Sequence, residues 1–147
     1  MKPISYCVLL CFALSGCATS RNFIQPDSHR QAVFSTSVGY QEVYRRADAF
    51  ARQCHSTANH RMWNAEITGN IYTDNQTAVI HVRQEAFVGK DFERFEIKGT
   101  PSGSDVTILT ATNGGWNKHE MKVARMSVET GHINCYGDVP VLEGEAL

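Results

Sequence analysis

Four stretches in succession, within residues 63–71, 77–84, 92–98 and 106–110, carry apolar side chains at alternate positions, and this repeated period of two constrains the chain more than any other feature. Trp63, Ala65, Ile67 and Ile71 alternate through the first, with Gly69 expected to mark a bulge or bend. Ala78, Ile80 and Val82 share one face of the second. In the third, Phe95 and Ile97 point inward while Arg94, Glu96 and Lys98 point outward, and Val106, Ile108 and Thr110 line the fourth. Successive strand residues face opposite sides of a sheet, so the pattern predicts an antiparallel meander with one buried and one polar face. Asp74-Asn75, Gly89-Lys90-Asp91 and the loop 99–104 provide the turns.

A half-polar sheet must bury its other face, and two helical patterns offer the cover. Tyr40, Val43, Tyr44, Ala47, Phe50, Ala51 and Cys54 recur at helical spacing, with Glu42, Arg45, Arg46, Asp48 and Arg52 on the opposite side. Residues 116–130 read as a second helix ended by Gly131, its stripe formed by Met121, Ala124 and Val128, with Val123 off the pattern. A short alternating stretch at 32–37 precedes the first helix as a strand. The expected order is β-α-β-β-β-β-α, an α+β two-layer sandwich in which two helices cover a four- to five-stranded antiparallel sheet.

The length of 147 residues suits one domain, and 42% hydrophobic against 20% charged residues is a globular balance. A formal charge of −1 provides no field to hold a polyanion, so nucleic acid is not an expected partner. The N-terminus reads as an export signal: Lys2, a largely apolar run over residues 4–14, then the small pair Ser15-Gly16. The run is about half the ~20 residues a spanning helix needs. Leu14-Ser15-Gly16-Cys17 resembles the lipobox of bacterial lipoproteins. The resemblance implies cleavage before Cys17 and acylation of that residue, a stable anchor to the lipid bilayer because several acyl chains are buried. It also implies an outer-membrane location facing the periplasm, since Ala18 is not the aspartate associated with inner-membrane retention. The expected organisation is a signal peptide at 1–16, a lipid-anchored tether at 17–31, a globular domain at 32–138 and a flexible tail at 139–147.

Of five cysteines, Cys7 and Cys11 leave with the signal and Cys17 carries lipid. Cys54 and Cys135 remain, and in an oxidising compartment they are expected to form a disulfide, with two separate buried thiols as the alternative. Such a bond would staple the ends of both helices.

The search for chemistry returns little. The six histidines, His29, His55, His60, His81, His119 and His132, show no HExxH, His-x-His or paired Cys-His spacing, so they read as scattered surface residues and no metal or cofactor is expected. Glu66, Glu85, Asp91, Glu93, Glu96 and Asp105 read as carboxylates on a solvated sheet face, although Glu85 and Glu93 could oppose each other as a glycosidase pair. No nucleophile elbow or phosphate loop is present. Arg45, Arg46 and Arg52, with Arg61 beyond, form the single charge cluster, a candidate contact for anionic headgroups or a solvated helix face.

The element order resembles helix-grip domains found in lipoproteins of outer-membrane assembly machinery. Tyr40-Gln41-Glu42-Val43-Tyr44-Arg45-Arg46 and the late Cys135 resemble small Gram-negative lipoproteins of unknown function. The reading that follows is a membrane-anchored, non-catalytic protein-interaction or accessory module of the envelope, with another envelope protein as partner. A periplasmic domain that binds a small ligand or glycan is the alternative.

Overall fold

The computed structural model describes residues 29–55, 65–84, 91–111 and 116–135. Seven elements follow in the expected order: β1 (His29–Thr36), α1 (Tyr40–His55), β2 (Ala65–Tyr72), β3 (Thr77–Gln84), β4 (Asp91–Thr100), β5 (Gly103–Ala111) and α2 (Trp116–Thr130). The strands form a single five-stranded sheet in the order β1-β5-β4-β3-β2, every pair antiparallel. The first strand thus closes onto the last, and β1 and β2 are the two edges.

The period-two pattern sorts the faces as expected. Ala78, Ile80 and Val82 of β3, Phe95 and Ile97 of β4, and Val106 and Ile108 of β5 are buried, together with Ala32 and Phe34 of β1. Against them lie Val43, Ala47, Phe50, Ala51 and Cys54 of α1 and Met121, Val123, Ala124 and Val128 of α2. Val123 is fully buried, because α2 packs on β1, β5 and α1 together and so buries more than a narrow stripe. Both helices cover the same face, which makes the molecule two layers.

The helices run antiparallel, as their side-chain contacts at each end show. Arg46 donates from Nη1 to the carbonyls of Val128 and Glu129 at 3.0 and 2.9 Å, while His55 meets Glu120 at 3.2 Å. The nine-residue intervals 46–55 and 120–129 each span about 13 Å of helix, so the two contacts fit one antiparallel pair. Gly131, at φ +75°, ends α2 and donates its backbone N–H to Ser127. That residue turns the chain back along α1.

Several expectations change in detail. Gly69 marks no bulge, since β2 and β3 stay in register throughout. A side chain at position 69 would collide with the Tyr44 ring, so glycine there seats that ring against the sheet. The bulge lies elsewhere, in a register shift at Val82/Arg83 opposite the start of β4. The loop expected over 99–104 is a hairpin turn: Thr100 pairs with Gly103, with Pro101 and Ser102 at the tip. Ile71, expected to face inward, is 38% exposed at the end of an edge strand. Trp63, Arg61, His60, Glu85 and Gly89-Lys90 lie outside the described residues, as do the expected signal, Cys17, the tether and the tail.

Candidate functional site

Among the described residues, the ionisable side chains buried between the layers gather at one end, where the C-terminus of α1, the start of β4 and the first turns of α2 converge. His55 (6% exposed), Glu93 and Glu120 (both 0%) meet there. His55 Nε2 lies 3.0 Å from Glu93 Oε2 and 3.2 Å from Glu120 Oε1. The phase of each element puts them inside. His55 follows Ala51 by four residues on the buried stripe of α1, Glu93 precedes Phe95 by two on β4, and Glu120 precedes Ala124 by four on α2.

The β-bulge completes the arrangement. Val82 opposes Glu93, but Arg83 opposes Asp91, leaving Phe92 as the additional residue on β4. Phe92 and Glu93 therefore both reach His55. The Phe92 ring meets the imidazole edge-on at 5.6 Å and Phe50 does so at 5.8 Å. Asp91 is sent to the other face, where its carboxylate accepts from Arg83 Nε at 3.1 Å and bonds His81 Nδ1 at 2.8 Å.

The aromatic walls keep water from the His55 cluster and set its electrostatics. Burial pushes the Glu93 carboxyl well above the ordinary carboxylate range. Burial also holds His55 below the usual imidazole value, against an opposing pull from the Glu120 charge. Glu93 Oε1 is buried with no hydrogen-bond partner. The cluster thus gathers one imidazole nitrogen and two carboxylates, with donor atoms within 4.8 Å of one another, a set able to share a proton or hold a cation.

These positions correct two expectations. His55 is not a surface histidine, and neither Glu93 nor Asp91, 5% exposed, belongs to a solvated face. Glu93 opposes Val82 across the hairpin, and Glu85, its expected partner, lies outside the described residues. His81 does face outward, half-buried against Asp91, and His132 is exposed.

Beside the cluster, Cys54 and Cys135 are joined with Sγ atoms 2.10 Å apart and Cα atoms 5.1 Å apart. The bond does not staple both helix ends. Cys135 lies five residues beyond the end of α2, on the segment that returns from Gly131, so the bond fastens that segment to the last turn of α1.

The arginine cluster divides. Arg45 pairs with Glu42 and its side chain is 77% exposed, and Arg52 pairs with Asp48 at 2.7 Å with 57% exposure. Arg46 instead spans Glu42 and the C-terminus of α2, where its charge meets carbonyls that lack helical partners. It joins two helices and is not a free surface contact. Glu42 is held below the ordinary carboxylate range, chiefly by its bond from Arg46.

No protein-family model matches the chain, and a comparison with curated proteins finds no match.

Proposed function

We propose that the chain is a lipid-anchored, non-catalytic module of the bacterial outer membrane, facing the periplasm, that binds another envelope protein through the sheet face neither helix covers. Attachment in this reading rests on acylated Cys17, which the Leu14–Cys17 motif supports; no helix among the described residues is long and apolar enough to cross a membrane.

One observation carries the interaction reading: both helices lie on one face, and on the other, where Leu109 and Asp91 are buried, the regions around Val33 and Tyr72 stay open among the described residues. The register aligns Asn70, Val79, Glu96, Thr107 and Val33 in a row across all five strands. Val33 is 60% exposed and Tyr72, near the β2 end, 50%. The charges on this face are of both signs and largely paired with each other: Arg83 with Asp91, and Arg94 with Glu96. Such a surface offers hydrogen bonds and apolar contact without a net field, which suits a protein of mixed polarity better than a polyanion.

The helix side favours this reading over a ligand pocket. Phe50, Phe95, Ile80, Ile108 and Met121 fill the space between layers, where a bound ligand would have to displace them.

The test is crosslinking in intact cells followed by recovery of the tagged protein, with Cys17→Ser as the unanchored comparison. Co-fractionation of the native chain with outer membrane, and a partner lost in Cys17→Ser, is the expected result. A Cys17→Ser protein that fractionates as the native chain does would overturn the anchor, and recovery of no partner would overturn the interaction.

A further inference from the structure

We propose that His55, Glu93 and Glu120 form a structural site for one divalent transition-metal ion, best suited to Zn²⁺, that ties α1, β4 and α2 together inside the domain. This departs from the expectation drawn from motif spacing. Short ligand motifs put their donors on one element, whereas here His55 and Glu93 are 38 residues apart and Glu120 comes from a third element.

Geometry is the first support. Ligands bound at ~2.0–2.2 Å in a tetrahedral site lie about 3.3–3.6 Å from one another. The observed separations from His55 Nε2, 3.0 Å to Glu93 and 3.2 Å to Glu120, differ from that by a few tenths of an ångström. All three donor atoms lie within 4.8 Å of one another, so small side-chain shifts would bring them to a common centre.

Donor count is the second, independent support. Glu93 Oε1 is fully buried and has no hydrogen-bond partner, although its sister oxygen is engaged. A carboxylate that chelates through both oxygens would use it. His55 Nε2, the two Glu93 oxygens and Glu120 Oε1 then make four donor atoms.

Charge and chemistry agree. Binding would release the proton that burial favours on Glu93, and the divalent cation would offset the charge of the carboxylates it meets. Imidazole with carboxylate is a borderline-to-hard set, appropriate to Zn²⁺ and unlike the all-oxygen shells of Ca²⁺ or Mg²⁺. The edge-on Phe50 and Phe92 rings make the surrounding wall, and the adjoining Cys54–Cys135 bond fixes the turn that bears His55. Burial of all three residues makes the ion structural and not catalytic.

The experiment uses the full chain purified in detergent, stripped with a chelator and titrated separately with Zn²⁺ and Mn²⁺. Metal content, melting temperature and the ¹⁵N shifts of labelled histidine are followed. The expected result is one Zn²⁺ per chain, a rise in Tm on the order of 10 °C at a hundredfold excess over Kd, and a shift of one buried histidine at Nε2. Glu93→Gln should bind about a hundredfold more weakly or worse and lose the rise. The histidine shift reads the native chain directly, so the idea can fail even if Glu93→Gln does not fold. No Tm rise with either ion, a bound ion that leaves the buried histidine unshifted, or equal binding by folded Glu93→Gln overturns the proposal. None of these outcomes bears on membrane attachment or on the open sheet face.

Discussion

At the scale of single residues, the phase of α1, β4 and α2 places three ionisable side chains in the core. His55, Glu93 and Glu120 each fall in phase with buried neighbours, at four residues from Ala51, two from Phe95 and four from Ala124. That phase was available in the sequence, but histidine and glutamate suggest solvent, so reading type before phase sends them outward. Their meeting is a different matter, because it depends on the antiparallel packing of α1 and α2 and on a bulge that no turn residue announces. Gly69 shows the same division: the glycine is visible, whereas the Tyr44 ring it accommodates is not. Gly69→Ala should destabilise the domain by about 1–3 kcal/mol through overpacking. Chemical denaturation of Gly69→Ala, Tyr44→Ala and the double variant checks this, since the glycine substitution should cost much less once the ring is gone.

At the scale of elements, the sequence was most informative where burial is one-sided. The 15-residue span expected for the second helix is the one observed, because Gly131 ends it with a positive φ, and the stripe through Cys54 predicts α1 to within one residue. The partner of each helix was not legible. Arg46 looks like a solvated residue until α2 places its last carbonyls within reach at 2.9–3.0 Å. Charge-assisted hydrogen bonds of this kind, discounted for partial exposure, should make Arg46→Met cost about 1–2 kcal/mol. Arg45→Met should cost well under 1 kcal/mol, since its ion pair is on the surface. Urea denaturation of the two variants side by side distinguishes a helix-joining arginine from a solvated one. The hairpin between β4 and β5 offers a sharper test. Gly103 has φ +148°, and a Cβ there would strike the backbone carbonyl of Thr36 on β1. Gly103→Ala should therefore lower Tm by ten degrees or more, on the order of 2 kcal/mol or above.

At the scale of the whole molecule, a disulfide and a one-sided sandwich define what the domain can do. The Cys54–Cys135 bond closes an interval of 81 residues that contains four of the five strands and α2. In the chain-entropy view it contributes about 4 kcal/mol, a large share of the stability of a small domain. Cys54→Ser with Cys135→Ser should lower the denaturation midpoint accordingly, and reductant should shift the native chain but not the variant. The helices and this bond secure one side of the sheet, so among the described residues the exposed part of the other side, around Val33 and Tyr72, is the surface offered for contact. Site-specific photo-crosslinking in intact cells addresses that surface most directly, with the probe at Val33 on the open face or at Arg45 on the exposed side of α1. The open-face account predicts a discrete crosslinked species from position 33 and none from position 45. A partner captured from position 45 alone would contradict it and assign recognition to the helix layer.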